Sequence, residues 1–281
     1  MRPINKASIA HSDVYSACSK SIRDQTTSRK LINNIPLTEK TQVDYDKLAK
    51  KSNFLTHVKT NQYGNLSNVE LTKIYRNTFI KSAKTKDIIS TIKTRSPHGI
   101  CPICGANAAK TLDHYLPESI YTHLILLPEN LIPCCGDCNK YKSSHTPKSY
   151  EQQTLNPYYD HHYNIRWLHA SILPTKPIVF SFKALPPLSL EEKRIIRIEH
   201  HFKKFKLDDT LSIFASNELG TRKYELKNTK ITSGADGLRK SLYESAESAA
   251  HHQINSWQTA AYEAMAMSDW FIHHGIDQEE P

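Results

Sequence analysis

Between Cys101 and Lys142 the chain gathers side chains of the kinds that hold metal ions and move protons. The stretch reads CPICG, then TLDHYLP, then NLIPCCGDCNKYK, and it contains five of the six cysteines. Cys101-x-x-Cys104 and Cys135-x-x-Cys138 form two knuckles. Each puts two thiolates on one tight turn, and two such turns close a tetrahedral Zn²⁺ site. Four thiolates leave no position for water, so this zinc is expected to be structural. Gly105, directly after Cys104, suits the positive φ such a turn needs. Cys134 can replace Cys135 by residue type. Only Cys135 keeps the two-residue spacing to Cys138, so Cys134 is expected to be a buried thiol. Clustered cysteines in a chain without an export signal read as metal ligands rather than disulfides.

Thirty residues separate the knuckles, and they carry a second kind of chemistry. Hydrolysis of a phosphodiester needs an activated water, neutralised phosphate charge and help for the leaving oxygen. A neutral histidine near pH 7 can take the proton from water. A carboxylate beside it can hold a hard cation such as Mg²⁺ or Mn²⁺. Asp113-His114 supplies both. On a strand these two side chains point to opposite faces, so a bulged or bent strand end has to bring them to one site.

The order of these residues resembles the HNH endonucleases, the ββα-metal finger family. The matching positions are Asp113-His114 with Pro117, Asn130-Leu131-Ile132-Pro133, Cys135-x-x-Cys138-Asn139 and Lys142, with a zinc knuckle on each side. The resemblance covers about forty residues. It implies an α+β, mostly α-helical protein: a central ββα finger stapled by a four-cysteine zinc site, between helical N- and C-terminal regions. It also implies roles. His114 is the general base, and Asp113 and Asn139 hold the catalytic cation. Asn130 braces the loop carrying His114. Lys142, with Lys140 beside it, contacts phosphate. Asn139 stands where the family often has histidine, which favours Mg²⁺ over catalytic zinc. Ser143 stands where some members have a further histidine, and His145 is the one residue that could reach in instead. His161 and His162 offer a second metal site, for which a polar loop beneath Trp167 is the plainer reading. The opening MRPINK and the layout also resemble HNH subunits of bacterial Septu- and retron-type anti-phage systems, which implies antiviral defence and an ATPase partner.

The charge is uneven. Residues 1–95 hold 18 Lys and Arg against 7 Asp and Glu, and the remainder holds 19 against 21. A basic third beside a near-neutral remainder points to a polyanion, most simply nucleic acid, DNA before RNA. No apolar run is long enough to cross a bilayer, and the polar opening has no signal-peptide core, so a cytoplasmic protein is expected. Two other functions fit the same residues: a non-catalytic zinc-knuckle nucleic-acid module, and a subunit held silent until a partner acts.

Three regions must position this chemistry: a basic helical one over 1–95, the knuckle module over 96–150 and a mainly helical extension over 151–281. Thr38, after Pro36, is expected to cap a helix to about residue 51. Ser67-x-x-Glu70 and Ser189-x-x-Glu192 are capping boxes. Ile88, Ile89 and Ile92 mark a short helix, and Ile178 to Phe182 a strand. Ile195, Ile198, Phe202 and Phe205 form one helical stripe. Gly234 to Gly237 is a break, followed by a last helix over about 238–272 that is interrupted near Asn255.

Overall fold

A computed structural model describes residues 1–144, 146–160 and 165–278. His145, His161 and His162 lie outside the described residues. The chain is α+β and mostly helical, with three two-stranded antiparallel sheets among the described residues. No described helix is long and apolar enough to cross a membrane. Contacts divide the chain into two compact units: residues 3–102 with 107–160, and residues 1–2 and 103–106 with 161–281.

The first of these units begins with α1 (His11–Ser19) and α2 (Gln25–Ala49). α2 starts well before the expected Thr38, because Asp24 caps it: its carboxylate accepts from Thr27 N at 2.9 Å. Pro36 sits inside the helix. Its missing N–H costs one helical hydrogen bond, but Leu31, Asn34, Thr38 and Tyr45 are buried on both sides of it and hold the helix in place. Asn34 Nδ2 also donates to Tyr63 O at 2.7 Å, in the small hairpin of β1 (Gln62–Tyr63) and β2 (Leu66–Ser67). The turn of that hairpin needs Gly64, whose φ is +55° and where a Cβ would lie 2.1 Å from the Asn34 side chain.

The Ser67–Glu70 capping box forms as expected and opens α3 (Asn68–Ile74), which runs on into a π-type turn over Tyr75–Phe79. α4 (Lys86–Lys93) follows. Val14, Tyr15, Leu31, Leu71, Phe79 and Ile92 share one core with Leu112 and Leu131 from the next hairpin. That hairpin is β3 (Thr111–His114) with β4 (Leu131–Cys134), and α5 (Gly136–Lys142) comes directly after it.

The other unit packs the hairpin of β5 (Leu168–Leu173) and β6 (Val179–Ala184) against helices. α6 (Glu192–Lys204) starts at Glu191 with no side-chain cap, so the Ser189 capping box does not form. α7 runs from Leu207 to His252 with a non-helical Gly234 inside, where the break was expected. Leu211, Ala215, Leu219, Leu238, Leu242 and Ala246 are its buried face. α8 (Trp257–Met267) and α9 (Asp269–His273) complete the unit. The interruption near Asn255 has a structural role: Asn255 Oδ1 accepts from Trp167 N at 2.8 Å and Leu168 N at 3.1 Å.

Candidate functional site

The four knuckle sulfurs, of Cys101, Cys104, Cys135 and Cys138, lie within 4.8 Å of one another, and all four residues are buried. A Zn–S bond of about 2.3 Å implies sulfur–sulfur edges of roughly 3.8 Å in a tetrahedron, so four thiolates this close could bind one zinc. Among the described residues this is the one group of three or more His, Cys, Asp or Glu side chains able to share an ion. Local backbone explains the closure. Gly105 takes φ +70°, and Cys101 N donates to Asn107 O at 2.8 Å. Cys135 caps α5, its sulfur accepting from Cys138 N at 3.4 Å. Cys134 is not in the cluster. Its sulfur lies 3.3 Å from Thr111 Oγ1, and burial pushes its thiol up to about 12.

Beside the knuckles, the end of β3 and the C-terminal half of α5 border a cleft of about 350 Å³. Asp113, His114, Asn139 and Lys142 all line it, together with Tyr75 and Glu118. β3 pairs with β4 one-to-one from Thr111 to His114, so no bulge is inserted there. The cleft instead runs across the strand's end, where Leu112, Asp113 and His114 alike reach it.

His114 is buried, with its ring 4.5 Å from that of Tyr75. Its Nε2 lies 2.9 Å from Ile125 O. A carbonyl only accepts, so Nε2 carries the proton and Nδ1 the lone pair. Nδ1 lies 3.9 Å from Glu118 Oε2. Burial pushes the imidazole down to about 4, against an upward pull from Glu118. The ring is therefore neutral at pH 7, with its basic nitrogen beside a carboxylate.

Asp113 is buried and paired with Lys142, whose Nζ lies 3.1 Å from Oδ2 and donates to Oδ1 at 3.3 Å. Lys142 also donates to His114 O at 2.5 Å. Lys142 is thus turned inward, while Lys140 is exposed. Burial pushes the Asp113 carboxyl up, and Lys142 pulls it down. Glu118 Oε2 is buried, and Asp113 Oδ2, also buried, faces the Lys142 ammonium. The two carboxylates and the Asn139 amide line one cleft and are donor types that a hard divalent cation takes, with Lys142 standing where Asp113 would bind it.

Asn130 is wholly buried. It accepts from Leu116 N at 2.8 Å, and donates to Leu116 O at 3.0 Å and Leu124 O at 3.2 Å. It thereby ties the turn after His114 to the segment that supplies Ile125 O.

Glu118 was missed by sequence reasoning. It is four residues after His114 and the one carboxylate between Asp113 and Glu129. Arg76 anchors it, with Nη2 at 2.6 Å from Oε1. Lys81, Lys84 and Lys86 are exposed on the same stretch of chain as Arg76. A larger cleft of about 570 Å³ lies in the other unit, lined by Arg222, His252 and several serines, and it holds none of the sequence-predicted residues.

No family model matches the chain, and no solved structure matches it. Among curated proteins it is similar to "Protein ea31" of Escherichia phage lambda, 26% identical over 220 residues. That similarity covers 74% of this chain and 74% of the phage protein.

Proposed function

We propose that the chain is a metal-dependent endonuclease of the HNH type that hydrolyses phosphodiester bonds in nucleic acid. One observation carries this reading: a neutral, buried His114 keeps its Nδ1 lone pair on the cleft that Asp113, Glu118 and Asn139 also line. The Ile125 carbonyl fixes the tautomer, so Nδ1 accepts the proton of the attacking water. Glu118, at 3.9 Å, steadies the imidazolium that results. Asn130 keeps the turn after His114 rigid. Asp113 and Asn139 would hold Mg²⁺ or Mn²⁺, which supplies the positive charge that the phosphate and the leaving oxygen need. The four-cysteine zinc holds hairpin and helix in register and takes no part in the reaction. Lys81, Lys84, Lys86 and Lys140 bind the phosphate backbone, with DNA as the first substrate to test.

A second reading, a partner-gated nuclease, has its own observation. The Lys142 ammonium sits on Asp113 and competes with any cation there. A partner that draws Lys142 away would switch the site on. The resemblance of the opening and layout to anti-phage subunits suggests an ATPase for that role and antiviral defence as the setting.

The test is incubation with plasmid and with tRNA, in Mg²⁺ or Mn²⁺, beside a His114→Ala variant. Cation-dependent cleavage by the wild type and loss in the variant are expected. Equal cleavage by both would remove His114 as the base. Binding without cleavage under any cation would favour the gated reading, or a zinc-knuckle module without catalysis.

A further inference from the structure

A cavity of about 500 Å³ lies within the unit of residues 3–102 and 107–160, between α2 and the segments that carry His57 and His123. It shares no lining residue with the cleft of Asp113 and His114. Three rings line it, those of His57, His123 and Tyr63. The centroids of His57 and His123 are 6.4 Å apart, and those of His123 and Tyr63 are 6.3 Å apart. Thr41, Thr56 and Thr60 add hydroxyls to the lining. Asp44 and Lys47, both exposed and about one helical turn apart on α2, stand at the mouth.

The protein does not satisfy the polar atoms inside. His57 is 6% exposed, and its Nε2 is buried with no hydrogen-bond partner among the described residues. His123 Nδ1 is in the same state. Buried polar atoms are nearly always paired, so these two nitrogens call for a partner from outside the chain. Burial pushes both rings down to about 4, so both are neutral at pH 7.

The nitrogens constrain what can fill the cavity. Two imidazoles on one tetrahedral zinc put their centres roughly 5 Å apart. The 6.4 Å seen here is too wide for one shared ion. An anion between the rings would favour their charged forms, which burial opposes. A neutral, flat group edged with hydrogen-bond donors and acceptors suits both the nitrogens and the ring walls, and a nucleobase is such a group. At the mouth, a carboxylate suits ribose hydroxyls and an ammonium suits phosphate.

We propose that this cavity binds one nucleoside monophosphate, with its base against His57 and His123, its ribose on Asp44 and its phosphate on Lys47.

The test is isothermal titration calorimetry on the full chain with AMP, GMP, CMP and UMP, each beside its nucleoside, and with ribose 5-phosphate. At least one monophosphate is expected to bind one per chain, at least about ten-fold more tightly than ribose 5-phosphate, which lacks the base. His57→Phe and His123→Phe keep a ring and remove the nitrogens. Each is expected to weaken that binding about ten-fold with the circular dichroism unchanged. Lys47→Ala is expected to weaken the monophosphate but not its nucleoside. Should His57→Phe fail to fold, the half-buried His123 and the exposed Lys47 still decide. No saturable binding of any of the four monophosphates, ribose 5-phosphate binding as tightly as they do, or an affinity indifferent to all three substitutions would each overturn the proposal.

Discussion

His114 holds its proton on Nε2 because that nitrogen faces the Ile125 carbonyl, and Asn130 fixes where that carbonyl lies relative to the turn after His114. The Asn130 side chain closes three hydrogen bonds to backbone in a fully buried position. Asn130→Ala would leave Leu116 N–H without its acceptor and take a donor from Leu116 O and from Leu124 O, the latter keeping Leu127 N, so a loss of about 2–4 kcal/mol is expected in urea unfolding. Lys142 shows the opposite balance. It pairs with Asp113 where both are buried, and removing one member of such a pair costs roughly 3–5 kcal/mol. Lys142→Gln is therefore expected to lower Tm without divalent cation. Mg²⁺ should then restore more stability to the variant than it gives the wild type, as a thermal shift would record. At this scale the sequence was legible where spacing is rigid. Two-residue gaps define a knuckle whatever lies between them, and Cys135 rather than Cys134 joins the cluster as the spacing requires. Glu118 was not legible, because its approach to His114 depends on a chain reversal at Pro117 and on Arg76 from a distant helix.

At the scale of elements, β3, β4 and α5 present Asp113, His114 and Asn139 to one cleft only if the hairpin and helix stay in register. In the proposed reading the knuckle cysteines clamp these elements through zinc, and Cys135 is also the cap of α5. About one zinc per chain is expected by metal analysis. Cys101→Ser is expected to lose it together with cooperative unfolding, because binding energy at such a site is folding energy. Helices were readable where a cap and a stripe coincide, as at Ser67 and Glu70. They were misread where one signal outweighed the other. Pro36 looked like a boundary, yet Asp24 starts α2 well before the proline, near the N-terminal end of a continuous buried face. The first half of α7 went unread because its inner stripe, Leu207 to Leu226, is masked by a sequence otherwise rich in Lys, Asn, Thr and Ser.

Across the whole molecule, burial has set several histidines to be neutral. It pushes His11 down to about 3 and His57 and His123 to about 4. Their folded values lie below the unfolded value near 6.5, so the unfolded chain binds more protons between about pH 4 and 6.5. Stability is complete above that window and falls on acidification, by on the order of a few kcal/mol in total. The urea midpoint should drop between pH 7 and 4.5. His11→Phe should flatten part of that slope, since the buried His11 ring packs between those of Tyr15 and Tyr63 as an aromatic side chain would. The uneven charge seen in the sequence also persists in the fold, as the exposed lysines between residues 81 and 86. Some of the basic residues are spent internally: Lys6 and Lys50 pair with Asp46, Lys30 with Glu70 and Arg76 with Glu118. Composition alone could not separate these from the ones left for a polyanion.

The most direct measurement is the rate of hydrolysis per bound complex, in saturating Mg²⁺ or Mn²⁺, for the wild type and His114→Ala, with affinity for the same nucleic acid measured in parallel. A fall of about 10²–10⁴-fold in rate with affinity unchanged is the expected result for loss of a general base. Cleavage at the wild-type rate by His114→Ala would contradict the assignment of His114, and with it the reading of the Asp113–His114–Asn139 cleft as a hydrolytic site.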